Sequence, residues 1–148
     1  MSVRFTIDQT RRLRLWRLSG VVTLEQFKAA YAGLDSLPPE AGAYNVLLVF
    51  AQQTALHEMD RNALGTLRQE AGRRWREMGL EHRLRGAFLC PTNMHETVVR
   101  LYAMEVESDP DYLLDIRTVA TREAAEAWLG QDLSGLDLPD YADTGEPV

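Results

Sequence analysis

The chain has 148 residues, a length that suits one domain around one core. Its 45% apolar and 26% charged residues are an ordinary globular composition, which excludes disorder over most of the chain. A net charge of −6, from 22 acidic and 16 basic residues, opposes non-specific binding to nucleic acid. The first elements follow from local pattern. Val3, Phe5 and Ile7 alternate with polar neighbours, the period of a strand. After the break Asp8-Gln9-Thr10, Leu13 and Leu15 resume the alternation, so the pair reads as a hairpin. The apolar phase shifts at Trp16 and Leu18, which points to a bulge or strong twist, and Gly20 ends the strand. Thr23-Leu-Glu-Gln26 fits a capping box, hydroxyl and amide each serving a free backbone N–H. Leu24, Phe27, Tyr31 and Leu34 then give a helical apolar stripe. Leu37-Pro38-Pro39-Glu40-Ala41-Gly42 is a loop, because proline lacks the N–H a helix needs. Asn45 to Phe50 (NVLLVF) is continuous apolar sequence, as in a central strand covered on both faces.

A second helix is expected from about Asp60 to Met78, with Leu64, Leu67, Ala71, Trp75 and Met78 facing the core and Gly79 as the stop. Arg61, Arg68, Arg73, Arg74 and Arg76, with Glu70 and Glu77, make its outer face. Arg85 to Cys90 is a strand halted by Pro91. Thr92 or Asn93 caps a third helix with Met94, Val98, Leu101 and Tyr102 inward. Leu113 to Val119 is the last strand, and Thr121 caps a last helix with Ala124 and Trp128 inward and Gly130 at its end. Gln131 to Val148 holds five acidic residues and no basic ones, so residues 131–148 are expected to be an acidic, loosely ordered tail after a domain of residues 1–130. Strand–helix–strand units demand parallel neighbours. The expected fold is a single α/β domain with a mixed, mostly parallel sheet of about five strands and about four helices.

Three stretches carry a family resemblance. They are LWRLSGVVTLEQF, NVLLVF followed by MDRNALGTL, and DIRTVATREAAEAWLG. Their order resembles the STAS domain superfamily of bacterial anti-sigma factor antagonists, and more closely its SpoIIAA-like (STAS/SEC14-type) proteins. The resemblance implies the STAS/SpoIIAA-like fold over roughly Val3 to Gly130. In the antagonists, a serine or threonine at the start of the second helix is phosphorylated by a partner kinase, and the added charge blocks docking. Aligning Asp60 with the motif's aspartate puts Arg61 and Asn62 on the serine pair. The phosphorylatable hydroxyl is therefore missing from this chain.

Candidate sites lie in the loops. Asp60 either marks a partner-facing loop or simply caps a helix. Ligands in open α/β sheets lie outside the carboxyl ends of the strands. There the sequence supplies Gln53, His57, Asp60, Arg61, Asn62, Cys90, Thr92, Asn93 and His95 as partner- or ligand-binding candidates. Cys90, His57 and His95 lack the spacing of a metal or catalytic motif, so no metal, cofactor or catalytic residue is implied. The arginines of the second helix are interleaved with glutamates, the pattern of a solvated face. One cysteine permits no internal disulfide and suits a reducing compartment. The opening MSVRFTIDQT shows no signal peptide and no stretch is long enough to be a transmembrane segment, so a cytoplasmic location is the default expectation. The leading functional expectation is a non-enzymatic regulatory domain that binds a protein partner. Its rival is a carrier-like domain for a small apolar ligand or lipid, and an enzyme trails both. No nucleic acid partner is expected, and a homodimer is left open.

Overall fold

The computed structural model describes residues 2–33, 39–79 and 82–141. Strands β1 (Val3–Asp8) and β2 (Leu13–Leu18) form the expected antiparallel hairpin. Asp8 holds its turn, accepting from the Arg11 backbone N–H at 2.9 Å and its guanidinium at 2.7 Å. The ladder runs unbroken from Val3–Leu18 to Asp8–Leu13, so there is no bulge. The phase shift has another cause. Leu13 and Leu15 enter the core on one face of the sheet, Trp16 and Leu18 the core on the other.

β3 (Asn45–Phe50), β4 (Leu84–Leu89) and β5 (Leu114–Val119) join in parallel, giving a mixed, mostly parallel sheet in the order β1-β2-β3-β4-β5. Right-handed crossovers that always step the same way leave their helices on one face. Accordingly α1 (Leu24–Gly33), α2 (Arg61–Met78) and α3 (Asn93–Glu107) share the core with Trp16, Leu48 and Phe88. α4 (Arg122–Leu129) follows the last strand and packs on the opposite face, against Leu47, Ala87 and Leu89. The described residues form one α/β domain with four α-helices. No helix among the described residues is long and apolar enough to cross a membrane.

The capping residues act as their types predict. Thr23 and Gln26 bond reciprocally at 3.0 and 3.4 Å, and Asp60, Thr92 and Thr121 each accept an N–H from the first turn of their helix. Gly79 ends α2 in the left-handed region, with φ 66°.

Several expectations are corrected. Residues 39–43 form a 3₁₀ turn, and the expected stripe residue Leu34 and loop residues Leu37 and Pro38 lie outside the described residues. Met78 is 41% exposed and not in the core. Arg74 leaves the outer face of α2 and lays its guanidinium over the Tyr31 ring at 5.3 Å. In α3 the buried residues are His95, Val99, Tyr102 and Val106, while Met94 and Leu101 are exposed. His95 faces inward because its Nε2 meets the Thr54 carbonyl of the segment after β3 and its Nδ1 meets Thr92, the helix's own N-cap. In α4 the buried residues are Ala125 and Leu129. Ala124 is exposed, whereas Trp128 is half-buried against the second core as expected, with the Arg117 and Arg85 guanidinium groups 4.0 Å and 4.6 Å from its ring.

The segment after α4 also differs from the loose tail expected. Residues 131–141 run across the open part of the sheet's second face. Leu133 is fully buried, Tyr141 is nearly so, and the Tyr141 hydroxyl donates to the Phe50 carbonyl at 2.6 Å. Arg122 donates to the Leu136 carbonyl at 2.6 Å and also to that of Leu133. A single helix is too narrow to cover five strands, and Leu133, Leu136, Leu138 and Tyr141 supply the missing apolar surface. The expectation for residues 142–148 lies outside the described residues.

Candidate functional site

A cavity of about 300 Å³ lies between the sheet and the three helices of its first face. Protein interiors rarely hold voids much larger than one water. This one equals roughly ten water volumes at about 30 Å³ each. The residue types account for it. Trp16 from β2, Phe27 from α1, Phe88 from β4 and Trp75 from α2 line the space, while Ala71, Ala41 and Gly42 contribute little side-chain volume to it. One end, toward the carboxyl termini of the strands, is wholly apolar, lined by Leu18, Phe50, Leu56, Met59 and Leu64. At the other end Glu77 and Met78, both exposed, bring the lining to the surface.

That second end is polar. Arg14 sits on β2 opposite Ile7 and Val46, on the same face as Trp16 and Leu18. Its Nε donates to the Tyr44 carbonyl at 3.1 Å, and its guanidinium lies 5.3 Å from the Trp75 ring. Its Nη2 is buried with no hydrogen-bond partner. No carboxylate pairs with Arg14 among the described residues, whereas Arg74 pairs with Glu70 at 3.1 Å. Burial pushes the Arg14 guanidinium below its ordinary range, and the nearby Tyr112 and Tyr31 phenols oppose that shift. Arginine nevertheless stays protonated in proteins. The Trp75 indole Nε1 is likewise buried without a partner. Beside these donors, the Tyr102 and Tyr112 hydroxyls lie 3.2 Å apart, and Tyr31 lines the same space. Burial raises all three phenols, so they stay protonated and able to donate.

None of the nine residues singled out from the sequence lines this cavity. Gln53 and His57 are exposed in the segment between β3 and α2. Asp60 caps α2 by accepting the Ala63 N–H at 2.9 Å, with Arg61 and Asn62 exposed in the first turn. Asp60 and Asn62 border a shallow groove of about 310 Å³ shared with Thr23, Glu25, Glu58 and Thr66. Asn93 is exposed at the start of α3. Cys90, Thr92 and His95 lie close in sequence, with their polar atoms turned to structural bonds. The Cys90 thiol is buried against the Phe88 carbonyl, 3.4 Å away, and burial pushes its pKa up to about 12. His95 Nε2 lies 2.7 Å from the Thr54 carbonyl and Nδ1 lies 2.5 Å from the Thr92 hydroxyl. A carbonyl can only accept, so Nε2–H donates to it, and with that tautomer Nδ1 accepts a hydrogen bond from the Thr92 hydroxyl. His57 is exposed while His95 and Cys90 are buried, and no group of three or more His, Cys, Asp or Glu among the described residues could hold a metal.

The cavity residues were legible only as core. Trp75 and Tyr31 fall on apolar stripes, where aromatic residues need no further reason. Arg14 did carry a signal. It sits within LRLWRL in phase with Trp16 and Leu18, a permanent charge on the buried face of a strand. No family model, curated protein or solved structure matches the chain.

Proposed function

We propose that this chain is a carrier-like domain that holds a small apolar molecule between its sheet and its three helices. The observation that carries the reading is the cavity of about 300 Å³, apolar at one end and open to the surface at the other. That volume is at the lower edge of the roughly 300–1,000 Å³ typical of small-molecule sites. The resemblance to SpoIIAA-like proteins of carrier type agrees with the same role. Trp16 and Trp75 line the space, so occupancy changes their emission. Titration with 1-octanol should give a saturable change in tryptophan fluorescence. Ala71→Phe, which fills the cavity from α2, should abolish it while circular dichroism keeps its folded signature. No saturable change in the parent chain, or an equal change in the filled variant, would refute the reading.

A second reading has its own observation. Met94, Leu101 and Met104 are 56, 37 and 65% exposed on α3, and their spacing aligns them along one helix face. This stripe supports regulatory docking of a protein partner or a second copy of the chain. Substituting all three with serine should then abolish self-association in sedimentation experiments. A chain that is monomeric before substitution would remove the homodimer form of this reading.

A further inference from the structure

Two hydrogen-bond donors, Arg14 Nη2 and Trp75 Nε1, are buried without partners at the polar end of the cavity. They are neighbours, since the Arg14 guanidinium lies 5.3 Å from the Trp75 ring. A buried charge is normally paired, and a buried donor is normally bonded. Both unmet groups can only donate, and one is a permanent cation. The complementary group is an acceptor with negative charge. Tyr102 and Tyr112 hydroxyls at the same end add neutral donors. Nothing comparable marks the far end, where Leu18, Phe50, Leu56 and Leu64 offer only apolar surface.

The structure assigns the ligand's chemical class: from the unpartnered Arg14 and Trp75 donors at one end and the apolar wall at the other, we propose a monocarboxylate with an apolar tail. This rests on the reading of the cavity as a ligand site. The planar guanidinium fork matches a carboxylate, which can accept from Nη1 and Nη2 together. One negative charge is the right number. Arg74, the other arginine lining the cavity, already pairs with Glu70. Glu77 at the rim is itself paired with Arg73 at 2.8 Å, so the lining offers no second uncommitted cation for a dianion such as a phosphate monoester. Volume sets the tail. Roughly ten water volumes accommodate about ten heavy atoms, the size of octanoate. The head would lie against β2 near the opening and the chain would run inward toward Leu64 and Phe50.

The test compares octanoate with 1-octanol, which shares the tail and lacks the charge, by calorimetry on the full chain. Octanoate should bind at least about tenfold more tightly than octanol, the ratio expected of one charge-assisted hydrogen-bonded pair. Arg14→Met should remove that advantage, so that octanoate binds no more tightly than octanol to the same variant, and Arg14→Lys should keep part of it. Equal affinity for the two ligands, unchanged in Arg14→Met, would overturn the anion assignment and leave the apolar cavity reading standing. Binding of neither ligand would overturn both. Octanoate binding that survives Arg14→Met at full strength would place the carboxylate elsewhere and also overturn the assignment.

Discussion

Replacing Arg14 with methionine should stabilise the ligand-free protein. Methionine keeps the length of the stem and removes the charge. In the parent chain Arg14 is half-buried with its Nη2 shut off from solvent, and the guanidinium has one hydrogen bond, to the Tyr44 carbonyl at 3.1 Å, and one aromatic face, that of Trp75. The effective desolvation penalty for a buried ion is several kcal/mol. Against it stand the charged hydrogen bond, about 1.5–3 kcal/mol, and the cation–π contact, about 0.5–2 kcal/mol. The balance favours methionine by about 1 kcal/mol. For a domain of this size that raises Tm by roughly 3 °C. Urea denaturation with a fixed m-value is the assay. The reasoning fails if Arg14→Met loses more than about 2 kcal/mol, because Arg14 would then be a structural bond and not a group held unpaired for a ligand.

Other consequences follow from the same geometry. His95→Leu removes the donor to the Thr54 carbonyl and the acceptor for Thr92, and should cost about 1–3 kcal/mol in chemical denaturation. A loss below about 0.5 kcal/mol would show that the histidine does not tie α3 to the segment after β3. Cys90 should resist an aromatic disulfide reagent in the native state and react after unfolding, since its pKa is pushed up to about 12 by burial. The folded chain then holds a proton that the unfolded chain loses near pH 8.5, so stability should fall as pH rises from there toward about 12. Cys90→Ala should flatten that limb, and an unchanged slope would contradict the cause. Tyr141→Phe takes the bond from the Phe50 carbonyl and should cost about 1 kcal/mol. Limited proteolysis should then cut within residues 131–141 faster than in the parent, and equal rates would show the segment is held by its leucines alone.

The sequence made the scaffold plain where local rules act without competition. NVLLVF reads as a strand covered on both faces, Thr23, Asp60, Thr92 and Thr121 cap helices with their side chains, and Gly79 ends α2 through its left-handed backbone. It misled where tertiary contacts chose among local options. Met94 and Leu101 look like core, yet the polar His95 takes the inward position because its two ring nitrogens find partners there. The acidic residues after Gly130 suggested solvent, while the leucines between them were the ones that mattered. Trp16 and Leu18 suggested a bulge, since two-sided burial breaks simple alternation just as an inserted residue would. The cavity was hidden for a different reason. A pattern of apolar residues says that a face is covered, and not how closely. Trp75 and Phe88 line the space together with Ala71 and Gly42; periodicity put Ala71 on the covered face but does not say that its small side chain leaves room there, and Gly42 lies in a loop that no periodicity reaches.

An apolar chain is expected to enter the space beneath α2. The most direct measurement is a set of intermolecular nuclear Overhauser contacts between ¹³C-labelled 1-octanol and the protein's side chains. Contacts are expected to Leu64, Phe88 and the Trp75 ring, all of which line the cavity. Contacts confined to the exposed Met94, Leu101 and Met104 on α3 would place the chain on the surface and contradict it.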